Sequence, residues 1–292
     1  MEPLVGVAVI NFNRGKMLQR CLISLTVDSG IDDFAVLVND AGSSDGSRRW
    51  LQENLANAGA NLLFDPMPQP GCWPAYSYAQ AVNRCARWLF ERYPSIRYFY
   101  PLNNDCYVHP DWLRACVDLF ERDEKIGHVG SKVIYGPAKD PPLAYSIQGA
   151  GAFFRFVGRE WQTRSAHIGK PITLPEANVE YDVDYSGFGM YRRDLFEQFG
   201  GLCEDYPPIY WDDPDWGFTL WTHGYRVVYC PKSEIVHDHL SERVLYSEPE
   251  RQHHFSSQAG AGPNKQKFMA KWAHILRPDG TRSPILPRIV GC

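Results

Sequence analysis

The first hundred residues alternate two patterns of apolar positions. "LVGVAVI" (4–10), "FAVLVN" (34–39), "NLLF" (61–64) and "IRYFYPL" (96–102) are short, nearly continuous apolar runs, as expected of parallel strands buried on both faces. Between them, "KMLQRCLISL" (16–25) places Met17, Leu18, Cys21, Leu22 and Leu25 at helical spacing. "AGSSDGS" supplies turn and cap residues before a helix predicted over 47–57, and a further helix is predicted over 75–92. Pro110 suits the first turn of a helix over 110–121. This alternation predicts an α/β fold with a mostly parallel central sheet flanked by helices.

Beyond Gly130 the pattern changes. "SIQGAGAFFRFVG" (146–158) predicts a hairpin, and 159–179 has few periodic features. "VEYDVDYSGFGMYRRDLFEQFGG" (179–201) predicts a strand, a glycine-containing turn and a short helix. A helix over 214–223 leads into strands "YRVVYC" and "EIVHDH", and the tail carries a helix over 265–276 before a proline-rich end. A small second sheet and a C-terminal extension follow from this half.

Ligands of open parallel sheets lie beyond the carboxyl ends of the strands. Those ends carry Asn11, Phe12, Asn13 and Arg14, then Asn39 and Asp40, then Asn103, Asn104 and Asp105. A strand-end asparagine also serves as a turn former, but three polar clusters on one edge point to a ligand site. Asp105 is a hard oxygen ligand suited to Mn2+ or Mg2+ when a substrate brings phosphate oxygens. Asn103 and Asn104 can bond sugar or ribose hydroxyls without adding charge.

The acids of "WDDPDW" suit a helix N-terminus and could also supply a general base, Asp213 first, Asp212 next and Asp215 behind them. His237 and His239 are two apart, so on a strand they share a face, and one could reach a metal. Of the aromatic residues, from Trp73 and Tyr76 to Trp216, Trp211 beside the acids is expected in an acceptor or sugar pocket, together with Gly187 in the turn.

Composition adds little until charge is mapped along the chain. The net charge of −4 divides into +6 from Arg251 onward and −10 before it. Such a tail could draw anionic lipid or nucleic acid, or fold over its own acidic body. Eight cysteines lack CxxC spacing and read as reduced, buried thiols of a cytoplasmic protein. The N-terminal apolar run is too short for a secretory signal, and no run approaches the roughly 20 residues of a membrane span. Any membrane contact is expected at the surface.

The ordered segments "VAVINFNR", "LVNDAGSSDGS", "PLNNDCYVHPDWL", "SGFGMYRRDLFEQFGG", "WDDPDWGFTLWTHGYRVVYCP" and "EIVHDH" resemble the inverting family 2 glycosyltransferases of GT-A fold, from about Val5 to His239. The resemblance implies that the first-strand loop and second-strand acid grip the nucleotide, and that Asp105 matches the DxD-like aspartate. It implies that His237 matches the downstream metal histidine and that Asp212 and Asp213 contain the base. The implied activity is metal-dependent transfer from a nucleotide-diphosphate sugar, UDP or dTDP, to a hydroxyl of a glycan or lipid-linked glycan. The implied layout is a transferase domain over 1–240, with a nucleotide-binding half to 130 and an acceptor half after it, then a basic extension over 241–292.

Two departures stand out. Ala41 replaces a common second acid, leaving the base-reading residue open between Asn39 and Asp40, and "WDD" looks more like galactofuranosyl-transferring relatives than the usual Glu-Asp. A sugar-nucleotide nucleotidyltransferase would need a glycine-rich basic loop that "NFNRGK" lacks. A transferase acting on a hydroxylated DNA base through the basic tail is also compatible with the motifs, as is a catalytically silent sugar-nucleotide-binding protein. Against a silent protein stands the retention of Asp105, Asp212, Asp213 and His237 together.

Overall fold

A computed structural model describes residues 2–26, 29–56, 60–66, 76–137, 143–238 and 261–291. Trp73, His239, Cys72, Cys292 and Arg251 fall outside the described residues. Strand β1 (Val5–Asn11) lies between β2 (Phe34–Asp40) and β4 (Tyr98–Asn103), with β3 (Asn61–Phe64) beyond β2, and all three pairings are parallel. Alternate residues of β1 feed two cores, as period-2 geometry requires. Val5, Val7 and Val9 pack with helices α1 (Gly15–Ser24), α2 (Ser47–Asn54) and α4 (Trp112–Arg122). Ala8 and Ile10 pack with α3 (Tyr78–Arg92), α5 (Arg193–Gln198) and α6 (Asp212–Thr222).

The sheet continues through β6 (Ile126–Tyr135) and β12 (Arg226–His237), which run parallel to each other. Short antiparallel strands border them: β5 (Cys106–Val108) and β10 (Tyr181–Asp182) on β12, and β7 (Ile147–Gly149) on β6. β11 (Gly189–Arg192) is wedged antiparallel between β4 and β6. β8 (Ala152–Val157) and β9 (Glu160–Ser165) form the separate two-stranded sheet. α7 (Ala261–Lys271) and the turns after it make a third core, with Phe268, Trp272 and Leu276 against Phe154, Trp161 and Phe218.

Several expectations shift. The hairpin expected over 146–158 splits, because β7 joins β6 while β8 pairs with β9. "YRVVYC" and "EIVHDH" are one strand with an irregularity between Cys230 and Glu234. α4 begins at Trp112, two residues after Pro110, behind a left-handed Asp111. α6 begins at Asp212 and α7 runs from 261 to 271, each earlier than its pattern predicts.

β6 is a fully buried strand that the apolar pattern does not reveal. Gly127, His128, Gly130 and Lys132 interrupt its apolar run, yet all ten residues are buried. A Cβ at 127 would come within 2.6 Å of Leu220, and one at 130 within 2.5 Å of Ser186. These glycines let α6 and the turn at 186 lie directly on the strand.

Pro101 sits in central β4, where a lost ladder donor is usually costly. Tyr98 and Asn104 donate to Leu4 and Ile10 on the β1 side, so by alternation the edge lacking a donor at 101 faces β11. The β11 pairing reaches only Phe99, so the sheet asks no ladder bond of Pro101 on that edge.

Candidate active site

Three strand ends converge on a network of amides and carboxylates. The Asn11 side-chain amide, fully buried, donates to Asp40 Oδ2 at 2.7 Å and to Ser43 Oγ at 3.0 Å. Its own Oδ1 accepts from Asn104 Nδ2 at 2.7 Å. Asp40 also accepts backbone N–H bonds from Gly42 and Ser43, with Arg48 4.0 Å away. Asn39 donates to Asp65 Oδ2 at 2.9 Å, and Asp65 pairs with Arg84. Left-handed backbone at Asn13 and Arg14 turns the chain from β1 into α1. Asn13 is held at both ends, its N–H on Ser43 and its Oδ1 under Ser44.

Asp105, immediately after β4, and His237, at the end of β12, meet although far apart in sequence. His237 Nε2 lies 3.3 Å from Asp105 Oδ1, and its Nδ1 lies 3.1 Å from Gln148 Oε1 on β7. Arg14 pairs with the other Asp105 oxygen. Cys106 completes a buried group of three possible donors within 4.8 Å of one another. Burial, followed by the Asp105 charge, pushes the Cys106 thiol well up and keeps it neutral.

The acids of α6 differ among themselves. Asp213 is partly exposed, and a Cβ at Gly187 would stand 3.1 Å from its Oδ2, so a glycine there admits the carboxylate. Asp212 is buried, and its Oδ2 has no hydrogen-bond partner among the described residues. Neither carboxylate caps the helix, whose N-cap is left-handed Trp211. Loss of solvent, then the Asp212 charge, raises Asp213 well above the usual carboxylate range. Burial chiefly raises Asp212, opposed by a backbone hydrogen bond and assisted by Asp215. Asp215 itself accepts from Tyr206 Oη, Trp272 Nε1 and Lys271 Nζ at 2.8 to 2.9 Å.

A cleft of about 410 Å3 joins these groups. Its walls include Phe12, Arg14, Asn103, Asn104, Asp105, Gly187, Asp212, Asp213 and His237 from the sequence-derived set. Asn11, Asn13, Asn39 and Asp40 stand behind that wall, within the network that shapes it. Trp211, expected in the pocket, instead packs against Phe154 and Phe268, 6.2 and 5.1 Å between ring centroids. Its neighbour Tyr210, 43% exposed, is on the wall in its place, with Tyr76, Tyr78 and Gln148. Sequence patterns had no means of finding Gln148, since its approach to His237 depends on β7 joining β6.

Residues 6–200 match the sequence model of glycosyl transferase family 2, well over half of the chain. The chain belongs to that family. Over 121 residues it is 30% identical to chondroitin synthase of Escherichia coli, an alignment covering 41% of this chain and 16% of that protein. The family 2 chain also superposes on GalNAc-T7 solved with UDP, GalNAc and Mn2+, with a TM-score of 0.61 at 15% identity over 97% of this chain and 53% of the other. A mannosyltransferase from Pyrobaculum calidifontis, solved with GDP-Man and Mn2+, gives 0.56 at 17% identity over 98% and 67%. These likenesses establish a GT-A fold. The chain thus spans about half to two thirds of these solved relatives and a small part of the synthase.

Four basic residues of the tail are paired within the chain. Lys271 pairs with Asp215, Arg282 with Asp184, Lys265 with Glu160, and Lys267 donates to the Asp205 carbonyl. No helix among the described residues is long and apolar enough to cross a membrane.

Proposed function

We propose that this chain is a metal-dependent inverting glycosyltransferase that moves a hexosyl group from a nucleotide-diphosphate sugar, UDP or dTDP, to a hydroxyl of a glycan or lipid-linked glycan. The observation that carries this reading is a single cleft joining Asp105 and His237 to the cation-poor acids Asp212 and Asp213. Family membership and the Mn2+ in two structural relatives support it.

The donor set fits Mn2+ or Mg2+. A carboxylate oxygen and an imidazole nitrogen suit Mn2+ in particular, while the neutral thiol of Cys106 is left out. With Gln148 Oε1 accepting from Nδ1, His237 presents the Nε2 lone pair, the usual outer-shell arrangement of a ligating histidine. When bound, the ion would neutralise charge on the departing diphosphate. Arg14 adds a fixed positive charge on the same side. The amide of Asn103 serves sugar or ribose hydroxyls, while Asn104, whose two amide protons are spent on Asn11 Oδ1 and the Asn13 carbonyl, has its Oδ1 left to accept from one, and the buried network around Asn11 and Asp40 holds the loop that meets the nucleotide.

Asp213 takes the proton of the attacking hydroxyl. Its environment raises its proton affinity well above that of an ordinary aspartate, as suits a general base, and the Asp212 charge adds to the rise. Activity therefore requires pH above this raised value. The acid limb is expected above the ordinary aspartate range near about 4.

The test is turnover of UDP-, dTDP- and GDP-sugars with Mn2+, Mg2+ or EDTA. Metal-dependent release of one nucleotide, lost in Asp213→Asn, is the expected result. Undiminished turnover in EDTA, or in Asp213→Asn, would refute the metal or the base assignment respectively.

A further inference from the structure

The stretch that matches the family ends at residue 200, yet the proposed base lies on α6 beyond it. The C-terminal extension reaches α6 from both sides. Asp215, one turn after Asp212, is buried and receives three bonds, two of them from Lys271 and Trp272 of the extension. Asp184 is also buried, pairs with Arg282 and accepts the Phe154 N–H at 2.7 Å. The Asp184 backbone lies against the middle of the same helix, because a Cβ at Gly217 would stand 2.3 Å from the Asp184 carbonyl oxygen. Phe268 of α7 meanwhile packs on Trp211, the residue that opens α6.

Resting on the transferase reading above, we propose that the extension is a positioning clamp for α6, with Lys271 and Asp215 as positioning residues that set the location and charge environment of the Asp212 and Asp213 pair. One buried carboxylate on the helix, Asp215, and one beside it, Asp184, each take a cation from the extension. A buried carboxylate deprived of its cation is costly, so extension and helix hold one arrangement. The neutralised Asp215 is also what limits repulsion of Asp212 at the i, i+3 spacing.

Among the described residues, the phenols of Tyr78 on α3, Tyr191 on β11 and Tyr185 also face the pair, with Asp105, Arg14 and His237 elsewhere on the cleft wall. Burial raises all three phenols, so they stay neutral through the working range. Asp215 and Lys271 are the charges through which the extension acts on Asp212. Removing the Lys271 cation leaves Asp215 uncompensated, stabilises protonated Asp212 and Asp213, and moves the acid limb of kcat up. Removing the Asp215 charge moves it down.

The experiment compares Lys271→Met, Lys271→Arg and Asp215→Asn with the full-length wild type, reading nucleotide release from the preferred donor against pH and UDP binding with Mn2+. Lys271→Met is expected to lower kcat roughly tenfold with unchanged UDP affinity and donor KM. Its acid limb should rise by about half to one pH unit, Asp215→Asn should shift the limb down, and Lys271→Arg should restore most of the rate. An unchanged kcat and limb in Lys271→Met, or shifts of one sign in both charge variants, would overturn the clamp. Parallel loss of UDP binding and kcat would also overturn it, by showing a general loss of structure. A wild type that neither binds UDP with Mn2+ nor releases nucleotide from any donor overturns the transferase reading instead.

Discussion

At the strand-end side of the cleft, Asp40, Asp65 and Asp105 each face an arginine, Arg48, Arg84 and Arg14 respectively. At the α6 side, Asp212 and Asp213 face none among the described residues, while Asp215 on the same helix has Lys271. One residue type thus occupies two electrostatic settings within one cleft. An aspartate balanced by arginine can hold a loop or a cation. An aspartate with restricted solvent and no counter-charge among the described residues holds a proton more readily, as a base must.

The largest expected effect tests that division directly. Asp213→Asn should cut turnover by about 10² to 10⁴ while UDP binding with Mn2+, followed by calorimetry, stays within error. If binding fell with the rate, the two sides would not be separable. Next in size, Gln148→Ala should weaken Mn2+ affinity by about 10- to 100-fold, measured by metal titration, with nucleotide affinity in the absence of metal retained. An unchanged Mn2+ affinity would remove Gln148 from the support of His237.

A stability effect should follow on the strand-end side. Asn11→Asp replaces the amide that donates to Asp40 with a second acceptor, leaving two buried carboxylates face to face. A loss of about 1 to 3 kcal/mol is expected, seen as a lower Tm at neutral pH that recovers partly as the pair is protonated in acid. An unchanged Tm would mean that the network is slack.

The smallest effect has the opposite sign. Folding raises the affinity of Asp212 and Asp213 for protons, so their stabilising contribution is present below the unfolded aspartate range and is lost as pH rises through the raised values. Asp213→Asn should therefore have a higher Tm than wild type at pH 8 and an equal one near pH 4. A lower Tm at pH 8 would show that the carboxylate is satisfied after all.

Legibility in the sequence follows the same division. β1, β2 and β4 are short β-branched or aromatic runs, and their polar ends could be read directly as a ligand edge. Asp105, His237, Asp212 and Asp213 could be picked out because their neighbours resemble those of a known family. β6 escaped because its close packing demands glycines, and glycines read as loop. β9 escaped because only Trp161 of its six residues is buried. Gln148 and Tyr210 reach the cleft from irregular or newly paired segments, where no local period marks them. The contacts of Lys271 and Arg282 join positions 56 and 98 residues apart, so a basic tail looked available to external partners while much of its charge was already committed.

Pro101 has a consequence for the cleft as a whole. In the register that pairs Tyr191 with Phe99, Gly189 falls opposite Pro101, and there the ladder between β11 and β4 meets a tooth with no hook. Before Tyr191 the chain parts from β4 but stays bonded to β6, where Ser131 donates to the Phe188 carbonyl, and Gly187 and Phe188 reach the cleft wall. The seam between β11 and β4 is thus left open by a missing amide hydrogen, a covalent property of the chain that no rearrangement of side chains can undo.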